Sequence, residues 1–189
     1  MKTISTLLCI ALIPLLQACY TPLIEGAQQG YDGARRSSIE PGAKSGDPVE
    51  EFKLGNSYCC QGAGPLHDAS IYDNVKATAW YCKAARQGYA PAQLRLAQLY
   101  SGHAIRGLHI MLRISDMMGT DDTNISVALM WARLAAKSGE EDGVELRDDI
   151  ADKATTRQRE RADSMMREWK SAPCLWSEVI PTPAKKAEN

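Results

Sequence analysis

Ala77-Thr78-Ala79-Trp80-Tyr81-Cys82-Lys83-Ala84-Ala85-Arg86-Gln87-Gly88 has an echo 51 residues further on: Ala128-Leu129-Met130-Trp131-Ala132-Arg133-Leu134-Ala135-Ala136-Lys137-Ser138-Gly139. Ala, Trp, Ala-Ala and Gly return in the same register, and the register is helical. Ala77, Trp80, Ala84 and Ala85 fall at i, i+3, i+7 and i+8, which is one face of a 3.6-residue period; Ala128, Trp131, Ala135 and Ala136 do the same. Paired alanines let a neighbouring helix approach closely while the indole fills the space beside them. Gly88 and Gly139 suit the left-handed end of a helix. Asp73 and Asn124 stand four residues before the first repeated Ala, where a side-chain oxygen can cap the first amides. A shorter element recurs ahead of the next unit, Leu54-Gly55-x-x-Tyr58 against Leu96-Ala97-x-x-Tyr100.

Working outward, the pattern predicts helices over about 49–60, 74–87, 90–101, 125–138, 141–152 and 156–170. The last pair departs from the repeat. Val144, Leu146 and Ile150 mark a short helix; Thr155 or Thr156 caps another whose Ala162, Met165, Met166 and Trp169 share a face. Glu140 to Asp152 holds seven acids against Arg147, and Lys153 to Lys170 holds six bases against three acids. An acidic helix beside a basic one is expected to pair across its surface, setting register more than stability. A polar terminal hairpin is also what an array of repeats needs to stop.

The pair of segments resembles the Sel1-like repeats, relatives of the tetratricopeptide repeats: a helix with Leu-Gly-x-x-Tyr, a turn, Asp four residues before Ala, then Trp-Tyr-x-x-Ala-Ala-x-x-Gly. The stretch Asp73 to Gly88 follows that pattern, and Ala92 to Tyr100 opens the next unit. The resemblance implies an all-α fold, a short right-handed α-solenoid of antiparallel helix pairs over 48–172, with two full repeats and a degenerate third. It also implies a repeat core of Leu54, Tyr58, Ala77, Trp80, Ala84, Ala85, Gly88, Leu96, Tyr100, Ala128, Trp131, Ala135, Ala136 and Gly139.

The N-terminus reads as an address. Lys2 precedes an apolar run from Ile4 to Leu16, about 13 residues, too short for a bilayer that takes roughly 20 and of the length of a signal-peptide core. It ends in Leu16-Gln17-Ala18-Cys19, which resembles the lipobox of bacterial lipoproteins. That resemblance implies cleavage after residue 18 and acylation of Cys19, and Tyr20 in place of an Asp implies the outer membrane, with the domain on the periplasmic face. Residues 19–47, rich in Gly and Pro, are expected to be a flexible tether, and 173–189 a C-terminal tail.

Totals narrow the function. The 189 residues carry a net charge of -1, with 44% hydrophobic and 24% charged residues. That composition favours one globular domain over disorder and leaves no overall footprint for nucleic acid. Four Trp and seven Tyr against one Phe suit small, half-wet cores. Three histidines are a thin supply for acid–base or metal chemistry. No paired carboxylates, Gly-rich phosphate loop or activated nucleophile stands out, so neither a catalytic residue nor a cofactor is expected. Of six cysteines, Cys9 leaves with the signal and Cys19 carries lipid; Cys59, Cys60, Cys82 and Cys174 remain as disulfide candidates in an oxidising compartment. A bond from Cys82 to Cys59 or Cys60 would pin one hairpin, and Cys174 would take the other. A zinc site from Cys59, Cys60, Cys82 and His67 lacks C-x₂-C spacing. His103 and His109, near Asp116, Asp121 and Asp122, match no closed ligand set and read as solvated loop.

Residues 103–123 form an insert where the resembled family turns in a few residues. Leu108, Ile110, Leu112 and Ile114 alternate with His109, Met111 and Arg113, and Met117 and Met118 follow. The insert is either a structural flap or an adaptable Met-rich surface for a partner, with Leu108, Ile110, Met111, Leu112, Met117 and Met118 as the contact residues. The expected function is a lipid-anchored adaptor or scaffold for unidentified envelope proteins. The alternative is a module for cell-wall glycan or peptide, stacking on Trp80, Tyr81, Tyr100 and Trp131.

Overall fold

The computed structural model describes residues 34–60, 73–104 and 123–179. The signal segment, Cys19, His67 and residues 105–122 of the insert, with all six of its contact residues and His109, Asp116, Asp121 and Asp122, lie outside the described residues. Every regular element among the described residues is helical. In order they are α1 (34–44), α2 (Pro48–Tyr58), α3 (Asn74–Arg86), α4 (Ala90–Tyr100), α5 (Thr123–Lys137), α6 (Glu141–Lys153), α7 (Thr156–Arg167), a 3₁₀ turn (Trp169–Ser171) and α8 (Trp176–Val179). The chain divides into two compact units at Ser38/Ile39. In the first, 34–38 are helical, with Ser38 Oγ donating to the Arg35 carbonyl at 2.8 Å. All that follows concerns the second.

Local chemistry explains each boundary. The Asp47 carboxylate accepts from the Val49 and Glu50 amides, with Pro48 as the first residue of α2. Asp73 accepts from the Lys76 amide at 2.9 Å and starts α3. Thr155 and Gln158 form a reciprocal capping box on α7. Three helices end in the same double bond. Gly46, Gly88 and Gly139 have φ of 91°, 90° and 89°. The amides of Asp47, Tyr89 and Glu140 reach back to the carbonyls of Gly42, Ala84 and Ala135, and those of the glycines to Ala43, Ala85 and Ala136. This is the Schellman cap. It turns the chain in three residues, so α1–α2, α3–α4 and α5–α6 are all tight hairpins.

The core runs between α3, α4 and α5. Tyr81, Tyr100 and Trp131 are its largest fully buried side chains, with Leu96, Leu99, Leu129 and Met130 around them. A smaller cluster joins Ile39 and Ala43 to Leu54, flanked by Tyr58 and Trp80.

The structure differs from the sequence reading in several places. The stretch expected as tether up to 47 is already folded at α1. Gly42 lets Glu50 approach, since a Cβ there would stand 2.8 Å from Glu50 Cγ. Gly46 caps α1 and Pro48 opens α2, so the Gly and Pro that suggest a linker are the punctuation of a hairpin. Asn124 does not cap α5: the helix begins at Thr123 and the Asn124 amide is buried within it. The acidic α6 and basic α7 each pack mainly on α5, not on one another. Arg133 of α5 pairs with Asp163 of α7 at 2.6 Å, and Asp148 and Asp149 are held within α6 by Arg147 and Lys153. Val144 is exposed; the buried residue of that turn is Gly143, where a Cβ would meet Ala136 N at 2.9 Å and Ala135 Cβ at 3.0 Å. The helix expected to reach 170 stops at Arg167. The tail expected from 173 is part of the core, with Cys174 and Val179 fully buried.

Candidate functional site

The face of α3, α4 and α5 is crossed by the segment Ala172–Val179. Ala172, Cys174 and Val179 point inward and are buried, while Leu175, Ser177 and Glu178 are exposed. Cys174 stands at disulfide distance from Cys82 of α3, with the α-carbons 5.3 Å apart. Most of the remaining ties are hydrogen bonds between side chains of the helices and the main chain of the segment; Tyr100 also hydrogen-bonds the Glu178 side chain. Trp131 Nε1 donates to the Pro173 carbonyl at 2.8 Å, the Tyr100 hydroxyl to Leu175 at 3.4 Å and Asn124 Nδ2 to Val179 at 3.0 Å. The Trp176 amide donates to Thr78 Oγ1 at 3.1 Å. Glu178 folds the segment on itself by accepting from the Cys174 and Leu175 amides.

Cys174 was expected to pair with Cys59 or Cys60. Those two residues instead stand at disulfide distance from one another, at the end of α2. Cys82, buried in α3, faces the returning C-terminal segment. Thr78, Asn124 and the polar ends of Tyr100 and Trp131 were not expected as a set. Thr78 and Trp176 are 98 positions apart, and no local spacing announces such a meeting.

The repeat-core residues occupy unequal places. Leu54, Ala77, Ala84, Ala85, Leu96, Tyr100, Ala128, Trp131 and Ala135 are buried; Tyr58, Trp80 and Ala136 are partly so, and Gly88 and Gly139 cap helices at the surface. Trp131 is closed off completely and meets Trp169 edge to face. Trp80, its counterpart, is half-buried with Lys83 Nζ 3.9 Å above its ring. Of the four rings considered for stacking on a sugar, Tyr81, Tyr100 and Trp131 are therefore closed to one.

Burial also sets the electrostatics. It pushes the Tyr100 hydroxyl well above the ordinary phenol range, helped by the nearby Glu178 charge, and does the same to Tyr81, whose hydroxyl donates to Asn56 Oδ1 at 2.8 Å. Both stay neutral donors. The Glu51 carboxyl is raised by burial, against the hydrogen bond it accepts from Gln87 Nε2. Among the described residues no three His, Cys, Asp or Glu side chains converge to hold a metal ion. His103 is exposed, 2.8 Å from Ser101 Oγ and 3.8 Å from an Asp149 oxygen. No described helix is long and apolar enough to cross a membrane.

No protein-family model matches the chain, and comparison with curated proteins and with solved structures finds no match either.

Proposed function

We propose that the chain is a helical-repeat adaptor of the bacterial envelope, anchored through Cys19 and holding partner proteins against its helix hairpins. The reading makes it a short right-handed solenoid akin to the Sel1-like repeats, facing the periplasm from the outer membrane. One observation carries it: the same hairpin is built three times, each time on a small-residue pair followed by a left-handed Gly, at Gly46, Gly88 and Gly139. Stacked hairpins of this kind present extended surfaces made from many helices, and such surfaces bind proteins.

The test separates anchor from adaptor. Cys19→Ser is expected to move the protein from the membrane to the soluble fraction and to abolish incorporation of labelled fatty acid; retention in the membrane would contradict the anchor. A photoreactive residue at Val75, which is 63% exposed on α3, is expected to yield discrete crosslinked adducts in intact cells. Deleting 105–118 then tests the insert: loss of the adducts with helicity unchanged assigns contact to Leu108, Ile110, Met111, Leu112, Met117 and Met118. Absence of any adduct, at Val75 and at a second exposed position such as Val144, would count against the adaptor.

A further inference from the structure

The C-terminal segment is bound in the manner of a peptide ligand. Four side chains from three helices address its main chain, at the carbonyls of Pro173, Leu175 and Val179 and the amide of Trp176, and Tyr100 also hydrogen-bonds the Glu178 side chain. Main-chain recognition supplies affinity with little regard to side-chain identity, and selectivity is left to the positions that point inward. Here those are Ala172, Cys174 and Val179, all buried, with the exposed Leu175, Ser177 and Glu178 between the last two. The four receiving side chains are themselves buried. Stripped of the segment, the Tyr100, Asn124 and Trp131 donors would turn to solvent, and any occupant that covered them without carbonyls to accept would leave them unmet at about 1–3 kcal/mol each, while Thr78, which donates to the Asn74 and Val75 carbonyls of its own helix, would still offer an acceptor. The face therefore favours an occupant with a free main chain.

We propose that the face of α3, α4 and α5 is a peptide groove. Its partner is an unstructured protein segment with two small or branched apolar residues five positions apart and an aromatic residue between them that lies half-buried on the face, as Trp176 does, and the chain's own strap fills it while Cys82 and Cys174 are joined. The proposal rests on the adaptor reading and gives it a location and a ligand class. Opening requires a dithiol reductant: the reductant becomes a disulfide, and Cys82 and Cys174 each take up one proton as thiols. The freed strap then competes only through its tether, as a ligand at high effective concentration.

The experiment keeps the chain whole. Cys174→Ser with Glu178→Ala alters the strap alone, removing its covalent tie and its internal turn while leaving every array side chain in place. The probe is a fluorescein-labelled peptide of residues 172–179 with serine at the Cys174 position, followed by anisotropy. The variant is expected to keep its helical circular dichroism and to bind the peptide saturably, roughly tenfold or more tighter than the oxidised wild type does. Asn124→Ala in that background, or Val179→Asp in the peptide, is expected to weaken binding. Two results overturn the proposal. One is a helical variant that does not bind. The other is loss of helicity, which makes the strap an inseparable part of the core. In either case, persistence of the Val75 adducts leaves the adaptor role standing on another surface, whereas their absence removes that role as well.

Discussion

Gly55 and Tyr81 share one space. A Cβ on Gly55 would lie 2.6 Å from Tyr81 Cε1 and 3.2 Å from the Ala77 carbonyl, so the ring lies flat against bare backbone. In the next unit the equivalent positions are Ala97 and Ala132, both fully buried: the methyl returns where the ring is absent. Gly55→Ala is thus expected to destabilise the protein by about 1–3 kcal/mol, the range for overpacking. In a double-mutant cycle by urea unfolding, Gly55→Ala with Tyr81→Ala should be less destabilising than the sum of the two changes; strict additivity would show that the two residues do not compete. Glu51 offers a second comparison of this kind, since the equivalent position in α4 is Gln93. Folding raises the Glu51 pKa, chiefly by burial. A raised carboxyl favours the folded state when protonated. Its contribution is complete below the unfolded-state value and is lost as pH rises through the folded one. Glu51→Gln is expected to be the more stable form at neutral pH, and its unfolding midpoint should vary less between acid and neutral pH than that of the wild type.

At the scale of the element, helix ends were legible because their rules are local. Asp73, Gly88 and Gly139 act within a few residues of themselves, and Asp73 does cap α3. Asp73→Ala is expected to lower stability by about 1 kcal/mol. The carboxyl of Asp73 is held below its ordinary value, first by the Lys76 amide, so its stabilisation is present above the ordinary carboxylate range and fades as pH falls through the depressed one. Thermal melts across that range should show the difference between wild type and Asp73→Ala shrinking in acid; a constant difference would place the effect outside the charged cap. Where local rules misled, two motifs shared one composition. Gly42, Gly46 and Pro48 fit a tether by count, and they fit a close approach, a helix end and a helix start by position. Asn124 fits a cap by type, but α5 starts before it and its amide serves Val179 instead.

For the whole molecule, the two cysteine pairs do different things. Cys82 and Cys174 are 92 positions apart, so joining them removes much freedom from the unfolded chain; Cys59 and Cys60 are neighbours, and joining them removes almost none. Cys82→Ser is expected to lower stability by about 2–4 kcal/mol, and Cys60→Ser by far less, both read from urea unfolding under oxidising conditions. Equal losses would contradict the loop-entropy account. The all-helical class, the positions of α2 to α7 to within a few residues and the hairpins at Gly88 and Gly139 follow from the sequence alone, because periodicity and capping act over one or two turns of chain; α1 and α8 do not. Cys174 was legible as a cysteine in need of a partner. Which partner it meets, that the tail closes over α3, α4 and α5, and that Thr78, Tyr100, Asn124 and Trp131 converge on its main chain were decided only in the folded molecule. Contacts across 42 to 98 positions leave no period in the sequence; they arise from how the helices stack, and only the stacked helices show them.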